Sequence, residues 1–452
     1  MSGIRVAVVV DFPGAGRLNP MLAITAALAD RTDVAEVGSF GPPGLSDSFT
    51  RAGARHETVE APPGKAVANP GVPHFAHRAF LLPRADVQDY VERIREFAPD
   101  VVLADGFSLR GLVAARHLKV PHVCMLVGLG YYAIGDDLLN EHGLPHPALS
   151  EANDYYRDTF GVDVLGEGML PVLFPSAELA IATGLDSLPV PKDTITTPGL
   201  AELLDQYARV CVFVGPCLSE VRFTPPEYRS PGGTGAGETA GPHDRRAPFP
   251  FHILDDAVAD GRRIVLFAPG TVLTNFRLHA PFGGAPTGRE FLAARLNELV
   301  QAFGGDRQVL VVASIGKLAA GDEPDWPDNF VVRDFVPQLV LLNRYADAFI
   351  SHMGWNSMVE SLLAGVPMVA LPGLGDQFLD ARAAIAENVA VVRWPLENVH
   401  AGCDSQRLKA AVLDVLDDPS HRAACKAFGS RLVDAGGAER AAQLVVERAR
   451  TT

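Results

Sequence analysis

The sequence predicts an α/β protein with two doubly wound domains, each built on a parallel sheet. Short β-branched runs are repeatedly followed by helical periodicity, the alternation that parallel strands with crossover helices produce. This series occurs twice, before and after a stretch rich in Pro and Gly at 224–250. The length of 452 residues also exceeds what one hydrophobic core usually supports.

The first series predicts an N-terminal domain over residues 1–223. Each of its strands is a short apolar run, typical of a strand buried on both faces. The predicted strands are Ile4–Val10, Val101–Ala104, His122–Leu126, Leu179–Ala182 and Ala208–Val214. Helical periodicity follows the first two strands, at Pro20–Leu28 and Leu109–Leu118.

The second series predicts a C-terminal domain over residues 251–435, after a flexible linker at 224–250. Its predicted strands are Ile264–Phe267, Val309–Ala313, Phe330–Arg333, Ala348–Ser351, Met368–Leu371 and Ala390–Arg393. A last helix, about Ala438–Arg450 within segment 436–452, has apolar residues at helical spacing and is expected to pack on a domain face. Two such halves predict a ligand in the cleft that they face across.

Composition limits the partners and the compartment. The net charge of −15 argues against a nucleic-acid or anionic-membrane surface, which needs a broad positive field. No run approaches about 18 apolar residues, and no targeting segment precedes the first strand, so we expect a cytoplasmic protein, monomer or homodimer, with no membrane span. The odd number of widely spaced cysteines predicts reduced, mostly buried thiols: Cys124, Cys211, Cys217, Cys403 and Cys425.

The segment FISHMGWNSMVE (349–360) predicts an anion site between a strand and a helix. The strand ends at Ser351 and the helix begins near Asn356, so backbone N–H groups and the positive end of the helix dipole face one point. A diphosphate suits that point. His352 is placed to donate to a phosphate oxygen, and the Glu360 carboxylate to accept from ribose hydroxyls. An ordinary N-capped helix is the alternative reading.

Two flanking motifs favour a nucleotide sugar as the ligand. Upstream, the sequence Phe335-Val336-Pro337-Gln338 follows a strand and offers an aromatic face and an amide, as a base pocket would. Downstream, Asp376-Gln377 follows a buried strand, and a carboxylate beside an amide suits the reading of vicinal sugar hydroxyls.

With these motifs the chain resembles the inverting GT-B glycosyltransferases, two-Rossmann enzymes that include plant secondary-product and bacterial natural-product glycosyltransferases. The plant signature has the form W-x-P-Q, H-x-G-W-N-S-x-x-E, G-x-P, P, D-Q. The matching residues here are Pro337, Gln338, His352, Gly354, Trp355, Asn356, Ser357, Glu360, Gly365, Pro367, Pro372, Asp376 and Gln377. GRLNP (16–20), the unit 99–121, Val214–Pro216 and FAPGTV (267–272) extend the resemblance over most of the chain.

The resemblance implies an activity and a set of binding residues. It implies transfer of a hexose, with inversion, from a UDP- or dTDP-sugar to a small hydrophobic acceptor. Phe335 would stack on the base, Val336 contact its edge, Gln338 and Glu360 bind ribose, and Trp355, Asp376 and Gln377 face the sugar. The diphosphate set would be Thr271, His352, Gly354, Asn356 and Ser357.

No metal and no cofactor is expected besides the nucleotide sugar itself. The acidic pairs Asp136-Asp137 and Asp255-Asp256 flank helices, where such pairs are usually solvated, and the chain has no D-x-D triplet. Helix dipoles and neutral donors would then stabilise the departing diphosphate.

One residue departs from the family where the acceptor is activated. The family has a histidine base in the G-H-x-N-P loop and an aspartate that orients it; here Asp105 is at the aspartate position, but Arg17 replaces the histidine. An arginine has no acceptor lone pair and a pKa above about 12, so it cannot be a general base.

Three explanations stay open. Arg17 pairs with Asp105, and the acceptor is acidic or nucleophilic enough to need little help: a phenol, thiol, carboxylate or amine. Alternatively, another base serves: Asp11, Asp105 itself, or one of His74, His77, His142 and His146. The third is altered chemistry, as in an impaired homologue that binds nucleotide sugar or acts as an auxiliary protein, or an epimerase of the same architecture. The segments Pro70–Asp89 and Gly128–Phe160 are expected to form walls of the acceptor pocket.

Overall fold

The structure is a computed structural model in which residues 3–11, 14–59, 72, 76–128, 130, 146–166, 173–188, 199–219 and 241–451 are described. The chain divides into two compact units. The N-terminal unit comprises Met1–Phe223 and Leu432–Thr452, and the C-terminal unit comprises Thr224–Arg431. Each unit contains one parallel sheet with helices packed on it, which confirms the predicted fold class.

The sheet of the N-terminal unit has seven strands, in the order β3-β2-β1-β4-β5-β6-β7. The strands are β1 Ile4–Val9, β2 Val34–Gly41, β3 Arg55–Thr58, β4 Val101–Asp105, β5 His122–Leu126, β6 Leu179–Ala182 and β7 Cys211–Phe213. All six pairings are parallel. Alternate β1 residues belong to different cores, Val6 and Val8 to one and Ala7 and Val9 to the other. The strand is therefore buried on both faces.

The helices of this unit follow the strands in the order that crossover connections require. They are α1 Ala15–Ala29, α2 Ser46–Arg51, α3 Val87–Phe97, α4 Leu109–Leu118, α5 Pro147–Phe160 and α6 Leu200–Ala208. Because β1 is paired with β4, the loops that follow these two strands leave the same edge of the sheet side by side.

The sheet of the C-terminal unit has six parallel strands in the order β10-β9-β8-β11-β12-β13. They are β8 Arg263–Ala268, β9 Val309–Ser314, β10 Phe330–Arg333, β11 Ala348–Ser351, β12 Met368–Ala370 and β13 Ala390–Val391. The helices are α7 Phe251–Ala259, α8 Gly288–Phe303, α9 Gln338–Arg344, α10 Trp355–Ala364, α11 Asp376–Ala386, α12 Val399–Gly402, α13 Ser405–Asp417 and α14 Pro419–Asp434. Here β8 is paired with β11, which brings the loops after them together.

The last helix, α15 Gly437–Ala449, belongs to the N-terminal unit. Its residues Ala441 and Val445 are fully buried in the core that also holds Leu18 of α1. A hydrogen bond also holds the helix on this unit, because the Arg448 guanidinium donates to the Glu178 carboxylate at 2.7 Å. The chain therefore returns to the unit in which it began.

The predicted linker at 224–250 is only partly described. Residues 224–240 lie outside the described residues. Residues 241–250 are bound to the C-terminal unit, where the buried Arg333 donates to the carbonyl of Pro242 at 2.8 Å. Arg245 donates to Asp334 at 2.6 Å and to the Gly316 carbonyl at 2.9 Å. This segment is held by hydrogen bonds from arginine side chains to main-chain and carboxylate oxygens, which a low apolar content does not predict.

Several element boundaries differ from those predicted. Helix α1 begins at Ala15, before Pro20, and Ala208 ends a helix where a strand was expected. The strands β2 and β3 were missed because Glu36 and Gly38 interrupt the first and the second is polar. The five cysteines are free, and all but the half-buried Cys211 are buried, as predicted. Among the described residues, no helix is both long and apolar enough to span a membrane.

Candidate active site

The turn between β11 and α10 has the geometry of an anion-binding loop. The strand ends at the fully buried Ser351, whose hydroxyl accepts the N–H of Met353 at 3.0 Å. Met353 has φ 62°, a left-handed conformation that turns the chain sharply toward the helix. Helix α10 then begins at Trp355 with Gly354 as its N-cap, and no side chain caps it. The ordinary capped helix is thus not what the structure contains.

Two glycines confine the His352 ring in this turn. A Cβ on Gly270 or on Gly354 would lie 2.5 Å from His352 Nε2, closer than any real contact. Gly270 follows β8 and has φ +81°, so it also suits glycine conformationally. Burial lowers the pKa of His352 to about 4, so the ring is neutral at pH 7 and donates from one nitrogen.

The two residues expected to bind ribose are hydrogen-bonded to each other. The Gln338 amide, in the first turn of α9, donates to Glu360 Oε2 at 2.9 Å and to Ser357 Oγ at 3.2 Å. Glu360 is 8% exposed and lies one turn beyond Ser357 on α10. This cluster holds the carboxylate in one orientation beside the start of the helix.

The residues expected to form the base pocket lie at the start of α9. The Phe335 ring is 43% exposed, whereas Val336 is buried at 2%. The Val336 carbonyl accepts the Gln338 N–H at 2.8 Å, so this oxygen is already used within the turn. Thr271 directly follows Gly270 and precedes a single π-helical turn at Val272–Phe276.

The residues expected to face the sugar differ in exposure. Asp376 is exposed at the first position of α11, but Gln377 is buried, and its amide oxygen accepts the Gly373 N–H at 3.0 Å. Trp355 is also buried, at 3%. Sequence reasoning missed Asp380, one turn after Asp376: its carboxyl is 2% exposed, and burial and the Asp376 carboxylate raise its pKa well above its ordinary value.

Arg17 and Asp105 come together in the N-terminal unit. The Arg17 Nη1 atom lies 3.8 Å from Asp105 Oδ1, and the guanidinium carbon lies 3.2 Å from the centre of the Phe107 ring. Asp105 is 1% exposed at the end of β4. Burial raises its pKa to about 6 although the Arg17 charge opposes the shift.

A second ion-pair network, which includes Asp11, lies beside the Arg17–Asp105 pair. Arg110 Nη1 lies 3.2 Å from Asp11 Oδ2, and the same guanidinium binds Asp86 through two hydrogen bonds of 2.6 and 2.9 Å. Burial raises the pKa of Asp11, against the attraction of Arg110. The Asp11 N–H donates to Asp105 at 3.3 Å, which joins the two networks. Sequence reasoning did not find Asp86 or Arg110, because neither stands in a recognisable motif.

The histidines considered as alternative bases differ in their hydrogen bonding, and two of them lie outside the described residues. His146 accepts the Ala148 N–H at 3.1 Å and so caps α5. His77 is 9% exposed, and neither ring nitrogen has a hydrogen-bond partner among the described residues. His74 and His142 lie outside the described residues, as does most of the loop 129–145. The described parts of the two predicted pocket walls meet where the Tyr156 hydroxyl donates to the Phe80 carbonyl at 2.7 Å.

The acidic pairs that could suggest a metal are only partly described. Asp255 accepts a hydrogen bond from the Tyr345 hydroxyl at 2.8 Å, and Asp136-Asp137 lie outside the described residues. Within the part of the chain that is described, no three His, Cys, Asp or Glu side chains gather as metal ligands would.

The chain is similar to several known proteins. Residues 299–447 match the family model "Erythromycin biosynthesis protein CIII-like, C-terminal domain". The chain is 25% identical to the uncharacterized UDP-glucosyltransferase YojK of Bacillus subtilis, over 97% of this chain and 96% of the relative. The chain is thus similar to glycosyltransferases over nearly its whole length, and its C-terminal part is similar to a family model from natural-product biosynthesis.

The chain also shares its fold with solved glycosyltransferases. It superposes on the glycotransferase of kitacinnamycin with a TM-score of 0.67 and 21% identity, over 99% of both chains. It also superposes on the glycosyltransferase VinC in complex with dTDP, with a TM-score of 0.61 and 17% identity, over 99% of this chain and 100% of that one.

Proposed function

We propose that this glycosyltransferase transfers a hexose from a UDP- or dTDP-sugar to a small hydrophobic acceptor with inversion of the anomeric carbon. The Gln338–Glu360 hydrogen bond behind the His352 turn is the observation that carries the proposal. Together with the Gln338–Ser357 hydrogen bond, it joins two residues suited to ribose hydroxyls to the first turn of a helix whose start suits a diphosphate. The dTDP bound to VinC, which has the same fold, supports a nucleoside diphosphate ligand.

Each residue then has a defined task in the proposed reaction. The neutral His352 ring donates to a diphosphate oxygen, and the N–H groups of Asn356 and Ser357 at the positive end of α10 take the others. The exposed Phe335 ring stacks on the base. Asp376 reads sugar hydroxyls, while Gln377 fixes the loop at Gly373.

The leaving diphosphate would be stabilised by these groups without a metal ion or any cofactor. Fixed N–H donors and a helix dipole act at no reorganisation cost, which is why they can replace a cation. Transfer that continues in excess EDTA, and a product whose anomeric configuration by NMR is opposite to the donor's, would support both parts of the proposal.

Nucleotide binding tests the C-terminal site separately from transfer. We expect UDP or dTDP to bind in calorimetry, and His352→Ala to weaken binding about tenfold or more, the value of one hydrogen bond to a charged group. His243→Ala is the matched control, since this half-buried histidine bonds the Pro327 carbonyl before β10 begins, at the opposite edge of the sheet. Equal effects of the two variants would contradict the assigned site.

The second candidate is a homologue that binds nucleotide sugar but does not transfer it. The Arg17–Asp105 pair favours it, because Arg17 takes the place of the histidine that the resemblance leads us to expect and cannot accept a proton. Nucleotide binding without hydrolysis or transfer to phenols, alcohols, amines, thiols and carboxylates would select this candidate over the first.

A further inference from the structure

Arg17 is held as a fixed, partly exposed cation. It lies in the first turn of α1, and its guanidinium stacks on Phe107 with 3.2 Å between the central carbon and the ring centre. Its side chain is 29% exposed, so the group is neither buried in the core nor fully solvated. Stacking fixes the plane of the guanidinium and lowers the entropy lost when it binds a ligand.

Asp105 is anchored mainly by backbone groups. Oδ1 accepts the Phe107 N–H at 2.8 Å and Oδ2 accepts the Asp11 N–H at 3.3 Å. The 3.8 Å separation from Arg17 is an ion-pair distance but too long for a hydrogen bond. The carboxylate thus offsets the arginine charge without making the two-bond contact that guanidinium and carboxylate favour.

The neighbouring pair shows what a tight contact looks like in this unit. Arg110 binds Asp86 with two bonds, and both side chains are nearly inaccessible. Arg17 differs in each respect, since its contact with Asp105 is longer and its side chain is more exposed. Arg110 therefore has the geometry of a structural ion pair, whereas part of the Arg17 side chain stays exposed.

We propose that Arg17 binds the nucleophilic oxygen of an acceptor that is already anionic, a carboxylate or an acidic phenol. This inference rests on the proposed function and deepens it by naming the class of acceptor. Planar guanidinium binds such oxygens through two hydrogen bonds. The same positive charge repels an ammonium group, so amines are disfavoured.

The reaction then needs no general base. The anionic oxygen attacks the anomeric carbon and forms the new C–O bond. The bond from that carbon to the diphosphate oxygen breaks, and its electron pair leaves with the nucleoside diphosphate. A carboxylate gives a glycosyl ester and a phenolate gives an aryl glycoside, with no proton transferred to the protein. Arg17 positions the acceptor oxygen, and Asp105 keeps Arg17 in place.

Pairs of acceptors that are similar in size but differ in charge test which property the enzyme selects. Transfer from the preferred nucleotide sugar would be measured for benzoate against benzyl alcohol, and for 4-nitrophenol against 4-methylphenol. We expect the wild type to favour the first of each pair. The benzoate and 4-nitrophenol reactions distinguish a carboxylate acceptor from a phenolate acceptor. The rate of transfer to 4-nitrophenol should rise with pH as its hydroxyl ionises.

Substitutions of Arg17 test whether this side chain is responsible. We expect Arg17→Gln to lower kcat/KM for the anionic acceptors by about 10- to 100-fold, as loss of a charged hydrogen bond does, and to lower it much less for benzyl alcohol. Arg17→Lys, a second variant in case the first folds poorly, should keep part of the preference. Arg31→Gln is the matched control: this arginine is 28% exposed and pairs with Asp33 at 2.9 Å.

The outcomes are separable from those of the proposed function. Wild-type preference for neutral alcohols, no transfer to either anionic acceptor, or an equal loss on both classes after Arg17→Gln would overturn the anionic-acceptor inference. Calorimetry of UDP and dTDP on the same preparations reports the nucleotide site independently. Absence of any nucleotide binding would instead contradict the proposed function.

Discussion

Gln338 donates a hydrogen bond to Glu360 at 2.9 Å, across two helices that begin next to different strands of the C-terminal sheet. The two residues stand 22 positions apart. Neither side chain is oriented by its own helix alone, so the position of the Glu360 carboxylate, which we propose binds ribose, depends on α9 and α10 together.

This dependence predicts that the two side chains are coupled in nucleotide binding. We expect Gln338→Ala and Glu360→Ala each to weaken UDP or dTDP binding about tenfold, and the double variant to lose about 1 kcal/mol less than their sum. Calorimetry on the four proteins measures the coupling. Asn343→Ala on the same helix α9, an exposed residue bonded to the Leu339 carbonyl, should bind as wild type; additive losses would refute the coupling.

Gly270→Ala should displace the His352 ring. The new Cβ would lie 2.5 Å from Nε2, and φ +81° adds strain, so we expect a loss of stability of about 2–4 kcal/mol together with weaker nucleotide binding. Gly305→Ala has a similar φ of +74° but meets nothing within 4 Å. It should therefore cost stability through strain alone and leave binding intact, and a binding loss in both variants would contradict this assignment.

Arg110→Met should destabilise the N-terminal unit strongly. It leaves the carboxylates of Asp11 and Asp86 buried without their cation, which typically costs about 3–5 kcal/mol in unfolding free energy. Arg93→Met removes an exposed partner of Asp89 and should cost less than about 1 kcal/mol. Urea denaturation of both variants measures the contrast, and similar losses would mean that the buried network is not the reason.

Asp105 should make stability fall as the pH rises. Its pKa of about 6 in the folded protein exceeds its ordinary value of 3.8, so the folded state holds the extra proton between these values. Stability from this group is therefore lost as the pH rises through that window. Relative to wild type, Asp105→Asn should gain on the order of 2 kcal/mol between about pH 4 and about pH 7. Urea denaturation at both pH values measures it; a constant difference would exclude the raised pKa.

Much of the fold could be predicted from local patterns. The strands that contain Phe330–Arg333 and Ala348–Ser351 were found with their observed bounds, because continuous apolar runs bounded by polar turns are a local signal. The edge strand β3 was missed because a half-exposed strand at the end of a sheet needs few apolar residues. The C-terminal helix α15 was found, but its attachment to the N-terminal unit was not a local property.

The candidate site, like the fold, could be predicted only in part from the sequence. The sequence by itself determined the strand, turn and helix around His352, since these depend only on residues close together in the chain. Only the tertiary structure decided that Gly270 lies against His352 and that Arg110 binds Asp11 from 99 residues away. The reason is the order of the strands: pairing β8 with β11, and β1 with β4, sets which loops meet, and no short pattern encodes that order.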